Sequence, residues 1–142
     1  MTGRQSKSAE QILREASTIA VVGASRYPVK VTHTVPRQIL RHGWNVIPVN
    51  PAMTELWDIT CYPSLAEVPV PIDLVNVFRP TADAPDVARQ AAAVGAKALW
   101  LQQGIMSAEA RAIAEAAGMD YVEDQCIAVV RAVGAISRLD TP

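Results

Sequence analysis

A chain of 142 residues, half of them apolar and 19% charged, is long enough for one domain around one hydrophobic core and has the balance of a globular protein. Its formal net charge of −1 excludes a bulk electrostatic pull toward nucleic acid or an anionic membrane. No apolar run approaches the roughly 20 residues that cross a bilayer, the polar opening MTGRQSKSAEQ lacks a signal-peptide core, and two cysteines make neither a disulfide framework nor a metal-site spacing. The expectation is a single cytoplasmic domain over 1–142, with flexible tails at 1–7 and 139–142.

In chain order, residues 8–16 read as a short helix, with Ser8 as N-cap and Ile12, Leu13 and Ala16 on one side. TIAVV at 18–22 is a continuous apolar run that stops at Gly23, the pattern of a strand buried on both faces. A helix follows, with Ile39 and Leu40 inward and Gly43 as its stop. Pro36 fits best as its first residue, which predicts a late helix start and a long, mobile loop over 24–35. NVIPV at 45–49 is a second strand, short or irregular because Pro48 has no ladder donor. Residues 50–71 read as loop with a helical turn at 64–68. A strand at 73–78, a helix at 82–94, a strand at 98–102, a helix at 107–117 and a strand at 120–123 complete the chain.

Strands alternating with helices predict parallel pairing through right-handed crossovers. The expected fold is α/β: a Rossmann-like, doubly wound domain on a five-stranded parallel sheet of order 3-2-1-4-5, with helices on both faces. Ligands of such sheets bind beyond the carboxyl ends of the strands, where the order reverses. Four turns therefore converge by expectation: Gly23–Ser25, Asn50 and Pro51, Phe78 and Arg79, and Gln102–Gly104.

The glycines of the dinucleotide fingerprint G-x-G-x-x-G fall here on Gly23, Ser25 and Pro28, so one of three is present, and Asn50 stands where a ribose-binding acid belongs. That disfavours an ordinary NAD site. No Gly-Lys-Ser/Thr sequence exists to make a Walker loop. Anion binding is nevertheless suggested by charge. From Ala16 to Thr54 there is no acidic residue, while Arg26, Lys30, Arg37 and Arg41 fall in that span. A helix N-terminus and loop N–H groups would add positive potential, with Lys30 and Thr32 or Thr34 beside them.

GAS after the first strand, IPVNP after the second, YPSLAEVP, DLVNVFR, GAKALWLQ-G and the cysteine in EDQCI occur in that order. Together they resemble the small stand-alone bacterial CoA-binding proteins, relatives of the CoA-binding domain of the succinyl-CoA synthetase alpha subunit. The resemblance spans about residues 9–130. It implies a CoA or acyl-CoA ligand and no established reaction. It assigns Gly23, Ala24 and Ser25 to the pyrophosphate turn, and Lys30 and Thr32 to the phosphates. It sets Asn50, Pro51, Phe78, Arg79, Gln102 and Gly104 at the other ligand turns, and Arg26 partly replaces lost family charge. Val29, Val31, His33, Thr34 and Gln125 depart from the family's Asp, Pro, Tyr, Arg and Arg.

Taken singly, His33 reads as an exposed loop histidine, His42 as a helix C-terminal residue, and Cys61 and Cys126 as structural. Trp100 reads as core, Trp44 and Trp57 as core or interface, and Arg79 as the strongest candidate ligand group. No spacing defines a catalytic set. The leading reading is a small-molecule nucleotide binder that is not itself an enzyme. The alternatives are an NAD(P)-dependent oxidoreductase or redox sensor, and an interaction module with a degenerate site. A homodimer is left open.

Overall fold

The computed structural model of the chain describes residues 7–139. The expected tails lie mostly outside that range. Within it, Lys7 pairs with Glu15, and the Leu139 N–H donates to Ser137 Oγ.

The chain runs α1 (Ala9–Glu15), β1 (Thr18–Val22), α2 (Val31–Arg41), β2 (Asn45–Val49), β3 (Glu55–Leu56), β4 (Ile59–Thr60), β5 (Leu74–Val77), α3 (Ala84–Ala93), β6 (Ala98–Leu101), α4 (Ala108–Ala116), β7 (Asp120–Val122) and α5 (Ile127–Val133). Short 3-10 turns precede β5 at Leu65–Glu67 and α3 at Thr81–Asp83. Ser8 and Ser107 cap α1 and α4 by accepting from the Gln11 and Ala110 N–H groups.

The five main strands form a parallel sheet with helices on both faces. Alternate side chains divide the core into two layers. Ile19, Val21, Leu74 and Trp100 pack under α1, α2 and α5. Ala20, Val75, Val77, Leu99 and Leu101 pack under α3 and α4. Trp44 and Trp100 are core residues, and their indole N–H groups donate to the Leu13 and Gln125 carbonyls.

The strand order corrects the expectation. It is β2-β1-β5-β6-β7, which counted over the sheet strands is 2-1-3-4-5 rather than 3-2-1-4-5. Pro48 supplies the reason. In the expected order the second strand would lie between two neighbours, and a residue without an N–H would break a ladder there. As an edge strand, β2 turns the Pro48 carbonyl outward, where it accepts from the Tyr62 N–H at 3.1 Å. The proline nitrogen faces that same outer edge. The reversal of order consequently falls between β1 and β5.

The late helix start is also corrected. α2 begins at Val31 and carries Pro36 inside it. Pro36 has no N–H for the Thr32 carbonyl four residues back, and its ring pushes that carbonyl out of line. The carbonyl is satisfied from outside: the Ser25 N–H donates to it at 3.0 Å. The loop after β1 therefore closes at Lys30, where the Lys30 N–H donates to Tyr27 O.

Three elements lie outside the expectation. β3 and β4 make a hairpin whose turn, Trp57–Asp58, has φ of 54° and 61° and carries no Asn-Gly signature. α5 has the sequence IAVVRAV, apolar apart from Arg131, and no local cap from Cys126.

At the amino-terminal edge of the sheet, Asp73 accepts from the Ser17 and Thr18 N–H groups at 3.0 and 2.9 Å and faces Lys97 at 3.5 Å. Partial burial pushes its pKa up, but the two backbone donors and Lys97 outweigh that and hold the carboxyl below its ordinary range. A lowered folded-state pKa gives stability that is present above the unfolded value of about 4 and is lost as pH falls through the folded one. Asp73→Asn is expected to flatten the acid limb of stability below about pH 4, measured by urea unfolding. An acid limb identical to the wild type's would contradict this role.

Candidate functional site

A crevice of about 370 Å³ opens beyond the carboxyl ends of β1 and β2, beside the start of α3. Of the residues singled out from sequence, Gly23, Asn50, Pro51 and Arg79 line it. Ser64, Asp83, Asp86 and Gln90 also line it and were not singled out. Their signals were present. Ser64 lies in YPSLAEVP, while 83, 86 and 90 fall on one face of the helix that follows the third main strand.

Gly23 is required by space as well as by conformation. Its φ is +95°, and a Cβ there would lie 3.2 Å from Arg79 Cδ and 3.3 Å from the Phe78 carbonyl carbon. The β1 and β5 turns thus touch across the reversal point. Phe78 is half-buried against the α2 side of the core, and its N–H donates to Val22 O. Arg79 Nε and Nη2 both donate to Asp83 Oδ2, at 3.2 and 2.9 Å, in an exposed pair. With Asp86 nearby, the crevice wall carries two carboxylates against one guanidinium.

The adjoining turn is held on every side. The Ala24 carbonyl accepts from Asn50 Nδ2 at 2.9 Å, and Asn50 Oδ1 accepts from the Ala52 N–H at 2.8 Å. Ser25 Oγ accepts from the Tyr27 N–H at 3.1 Å. The Ser25 carbonyl is 2.7 Å from His33 Nδ1, and Trp57 Nε1–H donates to His33 Nε2 at 3.2 Å. An indole N–H only donates, so Nε2 accepts and the ring proton sits on Nδ1, which donates to Ser25. His33 is 8% exposed, so the expected exposed loop histidine is instead a buried brace.

The basic stretch separates into two groups. Arg26 and Lys30 lie over the Tyr27 ring at 5.3 and 5.2 Å, exposed and outside the crevice lining. A hydrogen bond from Arg26 holds the Tyr27 phenol below its ordinary pKa. Lys30 is also the N-cap residue of α2 and provides no capping side chain; its own N–H and that of His33 are engaged, which leaves those of Val31 and Thr32 for an anion. Thr32 stands in that first turn, its carbonyl engaged by Ser25. Arg37 and Arg41 line a different groove.

The fourth turn does not reach the crevice. β5 separates β6 from β1, so Gln102 and Gly104 serve other contacts. Gln102 is buried, and its Oε1 accepts from the Ile127 N–H at 2.9 Å and from Asn76 Nδ2 at 3.3 Å. It caps α5 across the sheet. The Gly104 N–H donates to Asp124 Oδ1 at 2.7 Å. Cys61 is buried and its thiol is pushed up by burial; Cys126 is half-buried at the start of α5. Among the described residues, no group of three His, Cys, Asp or Glu is placed to hold a metal ion, and no helix is long and apolar enough to cross a membrane.

Comparison with known proteins gives a consistent set of relatives. The CoA binding domain family matches residues 17–132. The uncharacterized YneT protein of Bacillus subtilis is 37% identical over 124 residues, spanning 87% of this chain and 92% of its own length. A protein from Pyrococcus horikoshii OT3 superposes with a TM-score of 0.86 at 30% identity, over 95% of this chain and 99% of that one. An ADP-forming acetate–CoA ligase of Archaeoglobus fulgidus is 29% identical over 82 residues, 56% of this chain and 12% of the ligase.

Gln102→Leu should expose the α5 cap. It orphans the buried Ile127 N–H, at about 1–3 kcal/mol for an unsatisfied group, and takes one of the two acceptors of Asn76 Nδ2, which keeps the Trp100 carbonyl. Urea unfolding should show a loss of roughly 2 kcal/mol. A neutral substitution would contradict the cap.

Proposed function

The chain belongs to the CoA binding domain family, and from that premise we propose that it is a small cytoplasmic CoA- or acyl-CoA-binding protein with no catalytic centre of its own. The observation that carries the proposal is the meeting of Gly23, Asn50, Pro51 and Arg79 around one crevice at the reversal of strand order. The crevice takes the nucleotide end of the ligand. The open N-terminus of α2, with Lys30 and Arg26 on its rim, takes the phosphates. Arg79 gives Nε and Nη2 to Asp83, which leaves Nη1 for a phosphate oxygen while the carboxylate offsets part of the guanidinium charge.

One observation favours a second reading, an interaction module with a degenerate nucleotide site. The Ser25 N–H, a natural phosphate donor in such a turn, is engaged by Thr32, and Asp83 and Asp86 face the crevice. Thermal unfolding separates the readings. CoA at about 100 times its dissociation constant should stabilise by roughly 2.7 kcal/mol, raising the midpoint by roughly 5–10 °C. NAD and NADP should leave it unchanged. Lys30→Ala and Arg79→Ala should each weaken CoA, more strongly at low salt, and Asp83→Asn should tighten it. No shift with any nucleotide would sink the CoA reading and favour the second.

A further inference from the structure

A separate groove of about 250 Å³ lies along α2 and shares no residue with the crevice; Arg37, Leu40, Arg41, Trp57 and Asp58 line it. Its two arginines are unusual in this chain. Among the described residues, every other arginine has a partner. Arg79, Arg89 and Arg111 pair with carboxylates. Arg14, Arg131 and Arg138 donate to carbonyls, and Arg26 donates to Tyr27. Arg37 and Arg41 have no such bond, although they sit one turn apart on a helix with no acidic residue. Like charges at that spacing destabilise a helix slightly.

The facing wall is held in a strained form. Trp57 and Asp58 occupy both left-handed positions of the hairpin turn, where glycine and asparagine are the usual residues and a bulky side chain is an outlier. Trp57 is fixed there by its N–H bond to His33, which engages its polar edge and leaves the ring beside the groove. Leu40 adds apolar surface.

We infer that this groove binds a small phosphate monoester. Its dianion lies between the two guanidinium forks, which match several tetrahedral oxygens at once, and its carbon portion lies on Leu40 and the Trp57 ring. Asp58 is the groove's other charge. It sits more than an ion-pair distance from both arginines and opposes the anion.

The test is a titration of the intact protein with inorganic phosphate at constant ionic strength. It is followed by NMR at the Trp57 indole N–H and the Arg37 and Arg41 Nε–H groups. Saturable shifts are expected at these three sites. Arg37→Gln and Arg41→Gln should each weaken binding by roughly tenfold. Asp58→Asn should strengthen it, and asparagine suits the left-handed turn, so the hairpin is retained. Arg89→Gln, an equal charge change elsewhere, should have no effect. CoA and dephospho-CoA separate two sources of the monoester. Groove shifts with CoA alone assign it to the nucleotide's 3′-phosphate; shifts with neither assign it to a separate small molecule. Absence of saturable shifts, shifts confined to the 23–30 amides, or an Arg89→Gln effect equal to that of Arg37→Gln would overturn the inference.

Discussion

The hydrogen bond from the Ser25 N–H to the Thr32 carbonyl holds the ligand end of this fold together. Pro36 leaves that carbonyl without its helical partner, and an unsatisfied carbonyl in the first turns of a packed helix is costly. Ser25 repairs it at 3.0 Å. The same contact turns a loop that local rules leave open into part of the α2 N-terminus. His33 then braces the Ser25 carbonyl, Trp57 braces His33, and Asn50 braces Ala24. The turn after β1, the first turns of α2, the β3–β4 hairpin and the end of β2 become one connected unit.

That unit limits the chemistry at the crevice. The backbone donors that a glycine-rich dinucleotide loop would present are partly engaged within the protein. What remains for an anion is the uncapped start of α2, the exposed cations Arg26 and Lys30, and the part of Arg79 that Asp83 does not engage. The crevice wall itself carries two carboxylates against one guanidinium. On the proposed reading, the departures at 29–34 leave Arg26 and Lys30 as the cations of that segment.

Much of the architecture was legible in the sequence. β1 matched TIAVV to the residue, and the Ser8 and Ser107 caps were readable because they act within one turn. The failures share a cause: each missed feature is decided by a distant partner. α2 starts early because Ser25 reaches Thr32. α5 forms from IAVVRAV because Gln102 caps it from the neighbouring strand. The hairpin at 55–60 has no turn signature because Trp57 is held by His33. Strand order was the exception, since Pro48 already argued for an edge. With β2 inside the sheet the reversal would fall beside the fourth strand and bring Gln102 and Gly104 to it; with β2 at the edge, β5 stands between them and the crevice. Gly23, Asn50, Pro51 and Arg79 line one crevice because β2 and β5 flank β1 on its two sides.

The central claim is that the turn after β1 is fused to α2 through Ser25. Amide hydrogen exchange at Ser25 tests it most directly, because that proton is either in the bond or in solvent. The account predicts protection at Ser25 comparable to the core of β1 at Val21, while exposed Val29 in the same segment exchanges freely. Exchange at Ser25 as fast as at Val29 would contradict it.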